Sequence, residues 1–299
     1  MGADMASRTM KLKQSTGTTG KVKQATTGKS RQVAKAPARG GWLRRGLMVA
    51  FLGLVVFASY EYARLPSAEP LLKQNPKLTA LMEQRAEEAR EAGQKPRRRQ
   101  HWVALSSVSR HAIDAVLLSE DASFYLHEGV DTKELENALE DAVRKGKLGR
   151  GASTITQQLA KNLWLSTDRS LLRKGKELIL AHRLETALPK NRILTLYLNV
   201  VEWGNGVYGI EAGAREHFGV AASELTAAQG AILASMLPAP RKRSPSSGSK
   251  ALKKRAHWTI EQMEVVKRLN AEQARAAHEE IDQILGGKKP EESEDEAEG

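Results

Sequence analysis

Gly149-Arg150-Gly151-Ala152-Ser153-Thr154-Ile155-Thr156-Gln157-Gln158-Leu159-Ala160-Lys161-Asn162 reads as a flexible loop that turns into a helix. Thr154 with Gln157 three residues on is a capping-box pattern, so the helix is expected to start near Ser153 or Thr154. A helix N-terminus preceded by glycines and Arg150 suits a phosphate, because free backbone N–H groups and the helix dipole point at it. The run fits neither the P-loop nor the dinucleotide-binding fingerprint, so nucleotide binding is not expected. One turn further, Gln158 and Lys161 or Asn162 lie near one face. From physics alone, a plain capped surface helix explains the same letters equally well.

Two neighbouring clusters change that balance. Downstream, Arg169 and then Arg173-Lys174-Gly175-Lys176-Glu177 open a second amphipathic helix, whose apolar side is expected to include Leu171, Leu178, Ala181, Leu184 and Leu188. Arg173 and Glu177 at i and i+4 can be an ordinary surface pair, worth little. The functional reading is a cationic wall with one carboxylate in it. Upstream, Glu120-Asp121-Ala122-Ser123-Phe124-Tyr125-Leu126-His127-Glu128-Gly129-Val130-Asp131 follows the apolar helical run 113–118. Acidic residues after such a run are usually a solvated helix end. Here an aromatic, a His and a Gly surround the carboxylates, which suits a shaped cleft. No second His follows His127 at ligand spacing, so His127 is read as structural.

Around these clusters, residues 102–240 form a series of amphipathic helical stretches joined by Gly or Pro breaks, with little of the alternation that marks strands. The class is mainly α. Residues 63–100 hold four prolines around a polar helix candidate and read as a juxtamembrane connector. The basic, Ser- and Pro-containing run 241–250 reads as a boundary, and 244–299 as a charged helical extension ending in an acidic tail.

The net charge of +12 favours an anionic partner, and the absence of cysteine excludes disulfides, thiolate catalysis and Cys-based zinc sites. Position decides which partner. Residues 1–41 are basic and too polar to assemble a core. The uncharged run Gly46 to Tyr60 would extend about 22 Å as a helix, and Trp42, Leu43, Tyr60 and Tyr62 bring 42–62 to membrane-spanning length. A cleaved signal peptide or a buried core helix could use the same letters. Forty-odd preceding residues and the lack of a small-x-small site after Tyr60 favour the anchor. The basic side stays in the cytoplasm, so a domain after Tyr62 faces outward and meets neither cytosolic nucleotides nor DNA.

The sequence offers carboxylates together with many Lys and Arg, and two reaction types would use them differently. A glycosidase normally needs two carboxylates, one of them to protonate a sugar leaving group. A transferase acting on a pyrophosphate-linked donor needs one base and cations to hold the departing pyrophosphate.

Residues 102–240 closely resemble the monofunctional biosynthetic peptidoglycan glycosyltransferases, whose domain also occurs in bifunctional class A penicillin-binding proteins. The matching blocks are Glu120 to Asp131, Gly151 to Asn162, Arg173 to Glu185, Ile193 to Asn199, Glu202-Trp203-Gly204 through Gly209-Ile210-Glu211, and Leu237-Pro238-Ala239-Pro240. The resemblance implies a lysozyme-like helical lobe, with a smaller membrane-associated lobe between the first two blocks, polymerising lipid II with inversion. It implies Glu120 as general base and Glu177 assisting near the pyrophosphate, directly or through a divalent ion such as Mg or Mn. Ser153, Gln158, Lys161 and Arg169 would hold donor phosphates and Lys176 an acceptor phosphate. Asp121, Phe124, Thr154, Gln157, Asn162 and Arg173 complete the expected substrate-binding set. No organic cofactor is expected. The expected partners are lipid II, the growing lipid-linked glycan, the cytoplasmic membrane and the division or elongation machinery. About sixty residues remain after Pro240, too few for a penicillin-binding domain, so a monofunctional enzyme is expected within 101–243. The alternatives are a muramidase or lytic enzyme on a lysozyme-like fold, and a membrane-tethered basic scaffold. A scaffold, however, has no use for carboxylates set into apolar helices.

Overall fold

A computed structural model describes residues 41–145, 153–167 and 170–286. The basic tail expected over 1–41, the loop 149–152, Arg169 and the acidic end lie outside the described residues.

Among the described residues there are eleven α-helices and three very short strands. The chain divides into two units, residues 1–55 and 56–299, and helix α1 (Gly41–Ala63) contributes to both. It contains the stretch Trp42–Ala63, long and apolar enough to cross a membrane. At 1.5 Å per residue its 23 residues extend about 34 Å, a little more than the hydrocarbon core.

Residues 56–299 form a helical body whose elements start where short polar side chains cap them. Thr79, Thr154, Ser170, Thr226, Ser249 and Asn270 each accept a hydrogen bond from an amide in the first turn of the helix that follows. The helices are α2 (Ala80–Glu91), α3 (Arg110–Glu120), α4 (Thr132–Lys145), α5 (Ile155–Trp164), α6 (Leu171–Ala187), α7 (Lys190–Val200), α8 (Ile210–Phe218), α9 (Ala227–Met236), α10 (Lys250–Val265) and α11 (Ala271–Leu285). Helix α9 is apolar on nearly every side and buried, packed against α3, α10 and α11. Gly230 lets it approach α3: an added Cβ would stand 2.8 Å from the Cα of Ala112. Helix α5 packs on α2, α6 and α7. Glu120, the last residue of α3, stands where these two helix groups meet.

Three expectations need correction here. Residues 63–100, expected as a juxtamembrane connector, pack against the body. Strand β1 (Arg99–Gln100) pairs in parallel with β3 (Val207–Tyr208), itself antiparallel to β2 (Glu202–Gly204). Helix α2 lies on α5, and Arg85 pairs with buried Glu202 at 3.1 Å. Arg183 donates to the carbonyls of Tyr62, Leu65 and Pro66, and Arg192 to those of Leu71 and Gln74. The apolar residues of 63–100 need the body to bury them. Secondly, residue 243 is no boundary, because α10 buries Leu252, Ala256, Ile260 and Met263 against α9 and α3. Thirdly, on α6 the buried face is Glu177, Leu180, Ala181 and Leu184, whereas Leu171 and Leu178 are exposed.

Candidate active site

The chain leaves α3 through Asp121, and what Asp121 does next registers α3 against α5. Its Oδ2 accepts the amide of Ile155 at 2.9 Å, a carboxylate on the first free N–H of a helix. His127 Nε2 stands 2.9 and 3.1 Å from the two carboxylate oxygens. Because His127 Nδ1 accepts the Gly129 amide, the ring proton belongs on Nε2, which donates to Asp121. Gly129 adopts φ +89, and its carbonyl accepts from Thr154 Oγ1 at 2.7 Å and Gln157 Nε2 at 3.1 Å. Burial pushes the Asp121 carboxyl up, against the pull of His127 and the Ile155 amide. Asp121→Asn is expected to destabilise the protein by about 1–3 kcal/mol, since an amide NH2 cannot replace an acceptor facing two donors. Denaturant titration checks this; unchanged stability would show that Asp121 does not hold α3 and α5 in register.

With the two helices in register, Gln158 presents Nε2 to Glu120 Oε2 at 3.0 Å. The Glu120 carboxylate only accepts, so the amide nitrogen faces it, and the buried Tyr197 hydroxyl, on α7, donates to Gln158 Oε1 at 3.0 Å. Burial holds the Tyr197 hydroxyl protonated well above its usual range. Arg255, on α10, reaches Glu120 Oε1 at 3.4 Å while donating to the Ser119 carbonyl and hydroxyl. Burial raises the Glu120 carboxyl above the ordinary glutamate range, and Gln158, Arg255 and Lys161 pull it only part of the way back.

A group of cations lies along α5 and α6. Arg173 and Lys174 pair with the two oxygens of buried Glu177, at 2.6 and 2.5 Å. Lys174 also donates to Gln157 Oε1 at 2.9 Å and Ser153 Oγ at 3.2 Å, tying the start of α6 to the start of α5. Lys161 differs from both. Burial lowers its pKa, the Glu177 and Glu120 charges support its ammonium, and among the described residues it has no hydrogen-bond or ion-pair partner. A desolvated ammonium with open donors is a seat for an anion.

The structure thus brings Glu120, Gln158, Lys161, Ser153, Arg173 and Glu177 together and reassigns several others. Phe124, 1% exposed, packs edge-on to Tyr125 in the core and has no surface for substrate. Thr154 and Gln157 are buried and hold the 121–129 loop, and Asn162 is buried on α5. Both ends of the Gln158 amide are taken, so it orients the carboxylate. Lys176 pairs with Glu61 in the last turn of α1. A divalent ion does not fit the donor set at Glu177, whose two oxygens already face two cations. Among the described residues no group of three His, Cys, Asp or Glu could hold a metal. In the sequence Lys174 reads only as part of a cationic wall, and Arg255 does not read as a site residue at all. Lys174 shows as an i, i+3 partner of Glu177, but Arg255 carries no local signal, because it reaches Glu120 from a distance of 135 residues along the chain.

A family model described as transglycosylase matches residues 86–264, more than half of the chain. The chain belongs to the transglycosylase family. Its relatives include the biosynthetic peptidoglycan transglycosylase of Herminiimonas arsenicoxydans, 44% identical over 189 residues, covering 63% of this chain and 82% of that protein. The protein of the same name from Bordetella avium is 40% identical over 231 residues, 75% of this chain and 95% of that one. Among solved structures, penicillin-binding protein 1A from Haemophilus influenzae aligns at 21% identity and TM-score 0.35, over 61% of this chain and 18% of that chain. The matched span of this transglycosylase runs from within α2 to within α10, so Arg255 belongs to the shared domain.

Proposed function

We propose that this transglycosylase polymerises lipid II into β-1,4-linked peptidoglycan strands, with the growing lipid-linked glycan as donor. The observation that carries the reading is Glu120, a part-buried carboxylate held by Gln158 at 3.0 Å and Arg255 at 3.4 Å and raised in pKa by burial, facing the helix on which Lys161 presents an ammonium with open hydrogen-bond donors. Glu120 accepts the proton of the incoming GlcNAc 4-hydroxyl as that oxygen bonds to the anomeric carbon of the donor. The bond from this carbon to the pyrophosphate breaks, and the electron pair leaves with the pyrophosphate. Lys161 meets the developing charge, with Arg173 and Lys174 beside it. Attack opposite the leaving group converts an α-linked donor into a β link. A muramidase would need Glu177 as a free nucleophile or second carboxylate, and its pairing with Arg173 and Lys174 supports the transfer reading instead.

In the same reading α1 anchors the chain in the cytoplasmic membrane, basic side inward, with the body on the outer face. Exposed Leu171 and Leu172 on α6, and Leu135 and Val143 on α4, would meet the membrane on which the substrate lies.

Incubation of the full chain with labelled lipid II is expected to yield a polymer that lysozyme digests, with one polyprenyl pyrophosphate released per linkage. Shortening of preformed glycan, without polymer from lipid II, would establish the muramidase instead. Across pH, kcat/KM is expected to fall on the acid side through a pKa above the ordinary glutamate range, because the base must be ionised and burial raises it. An acid limb at or below that range would show a solvated carboxylate at work.

A further inference from the structure

Arg255, Trp258 and Gln262 follow one another at i, i+3 and i+7 on α10 and so share a helix face. Arg255 touches the Glu120 carboxylate, so that face looks onto the base. Trp258 and Gln262 line a cavity of 430 Å³ whose other wall is the end of α3, including Glu120 itself. That volume suits a small ligand rather than a bare side-chain gap. Trp258 is 42% exposed although it sits on a helix whose other large apolar residues are mostly buried. An indole left open beside a catalytic carboxylate calls for an explanation.

The charge of the cavity says what it takes. Its described lining includes Glu120, Asp121, Asp131 and Glu134 and no Lys or Arg, with Arg255 and Lys174 reaching only its edge through Glu120 and Ser153. The described lining therefore suits an uncharged group better than a pyrophosphate, whose seat in the reading above lies among Lys161, Lys174 and Arg173. An uncharged sugar ring fits: its hydroxyls donate to carboxylates and to the Gln262 amide oxygen, and its weakly positive C–H face lies against the negative face of an indole. We propose that Trp258 is the stacking platform for the sugar that carries the reacting hydroxyl, with Gln262 as its polar neighbour on the same wall. The inference rests on the polymerase reading above and names how that site recognises the acceptor.

The test is steady-state polymerisation of lipid II by the full chain carrying Trp258→Ala, Trp258→Phe or Trp258→Leu, with Glu120→Gln run alongside. Trp258→Ala is expected to raise KM roughly tenfold, the loss of one well-placed aromatic contact, while kcat stays within about twofold. Trp258→Phe should restore most of the affinity, and Trp258→Leu, similar in apolar character but without a π face, should not. If Trp258→Ala fails to fold, the contrast between Phe and Leu decides. An unchanged KM in Trp258→Ala, or equal recovery by Leu and Phe, overturns the stacking role. A defect seen with vesicle-bound substrate but absent with short-tailed substrate in detergent also overturns it, because Trp258 and the exposed Val265 and Val266 would then be meeting lipid. Full activity of Glu120→Gln would instead overturn the reading of the base, whatever Trp258 does.

Discussion

Glu120→Gln is expected to fold, to bind donor and to turn over at background. The amide is nearly isosteric with the carboxylate, and its oxygen can still accept from Gln158, but it cannot take a proton from the acceptor hydroxyl. A positioned general base contributes about 10²- to 10⁴-fold, so the loss should be at least of that order. Stability should not fall with it. The folded-state pKa of Glu120 lies above its unfolded value, so its charge costs stability. That cost is absent below the unfolded pKa and complete once pH has risen through the folded one. At neutral pH the variant should therefore melt close to the parent, the removed charge offsetting the amide NH2 left facing Arg255. A variant that melts early and polymerises in proportion to its folded fraction would make Glu120 a structural residue.

Lys161→Ala is expected to slow transfer on the order of 10²-fold, with the loss mainly in kcat, because a desolvated cation meets a charge that develops only as the pyrophosphate departs. Its fold should survive: no partner among the described residues is left unpaired, and a buried charge is removed. Lys174 makes a useful contrast. It bridges Glu177, Gln157 and Ser153, so Lys174→Ala should lose stability together with rate. Turnover of Lys161→Ala at the parental rate would mean that the ammonium is a bystander.

The mainly helical class was legible in the letters because its causes are local. Thr154 caps α5 through a bond that spans three residues, so that reading does not depend on distant contacts. Resemblance over several ordered blocks then put Glu120, Lys161 and Glu177 into one reaction. Local pattern could not say which polar residues face a cleft and which a core. Phe124, Thr154 and Gln157 sit in the same blocks as Glu120 and Lys161, yet burial turns the first three inward to hold a loop. Spacing also made Arg173 the obvious partner of Glu177 and hid Lys174, whose links to Ser153 and Gln157 exist only once α6 lies on α5. The outer segments show the same limit. Residues 63–100 look polar and Pro-rich enough to stand alone, and 244–299 looks like a charged appendage. Each hides a few apolar residues, such as Leu81 and Met82, or Leu252 and Ile260, that find partners only in the assembled body. Sequence by itself determined the helices, the anchor candidate and the chemical type of the site, because caps, periodicity and residue chemistry act within a few residues. Tertiary structure alone decided that α10 closes the site with Arg255 and Trp258, because that contact joins residues more than a hundred positions apart.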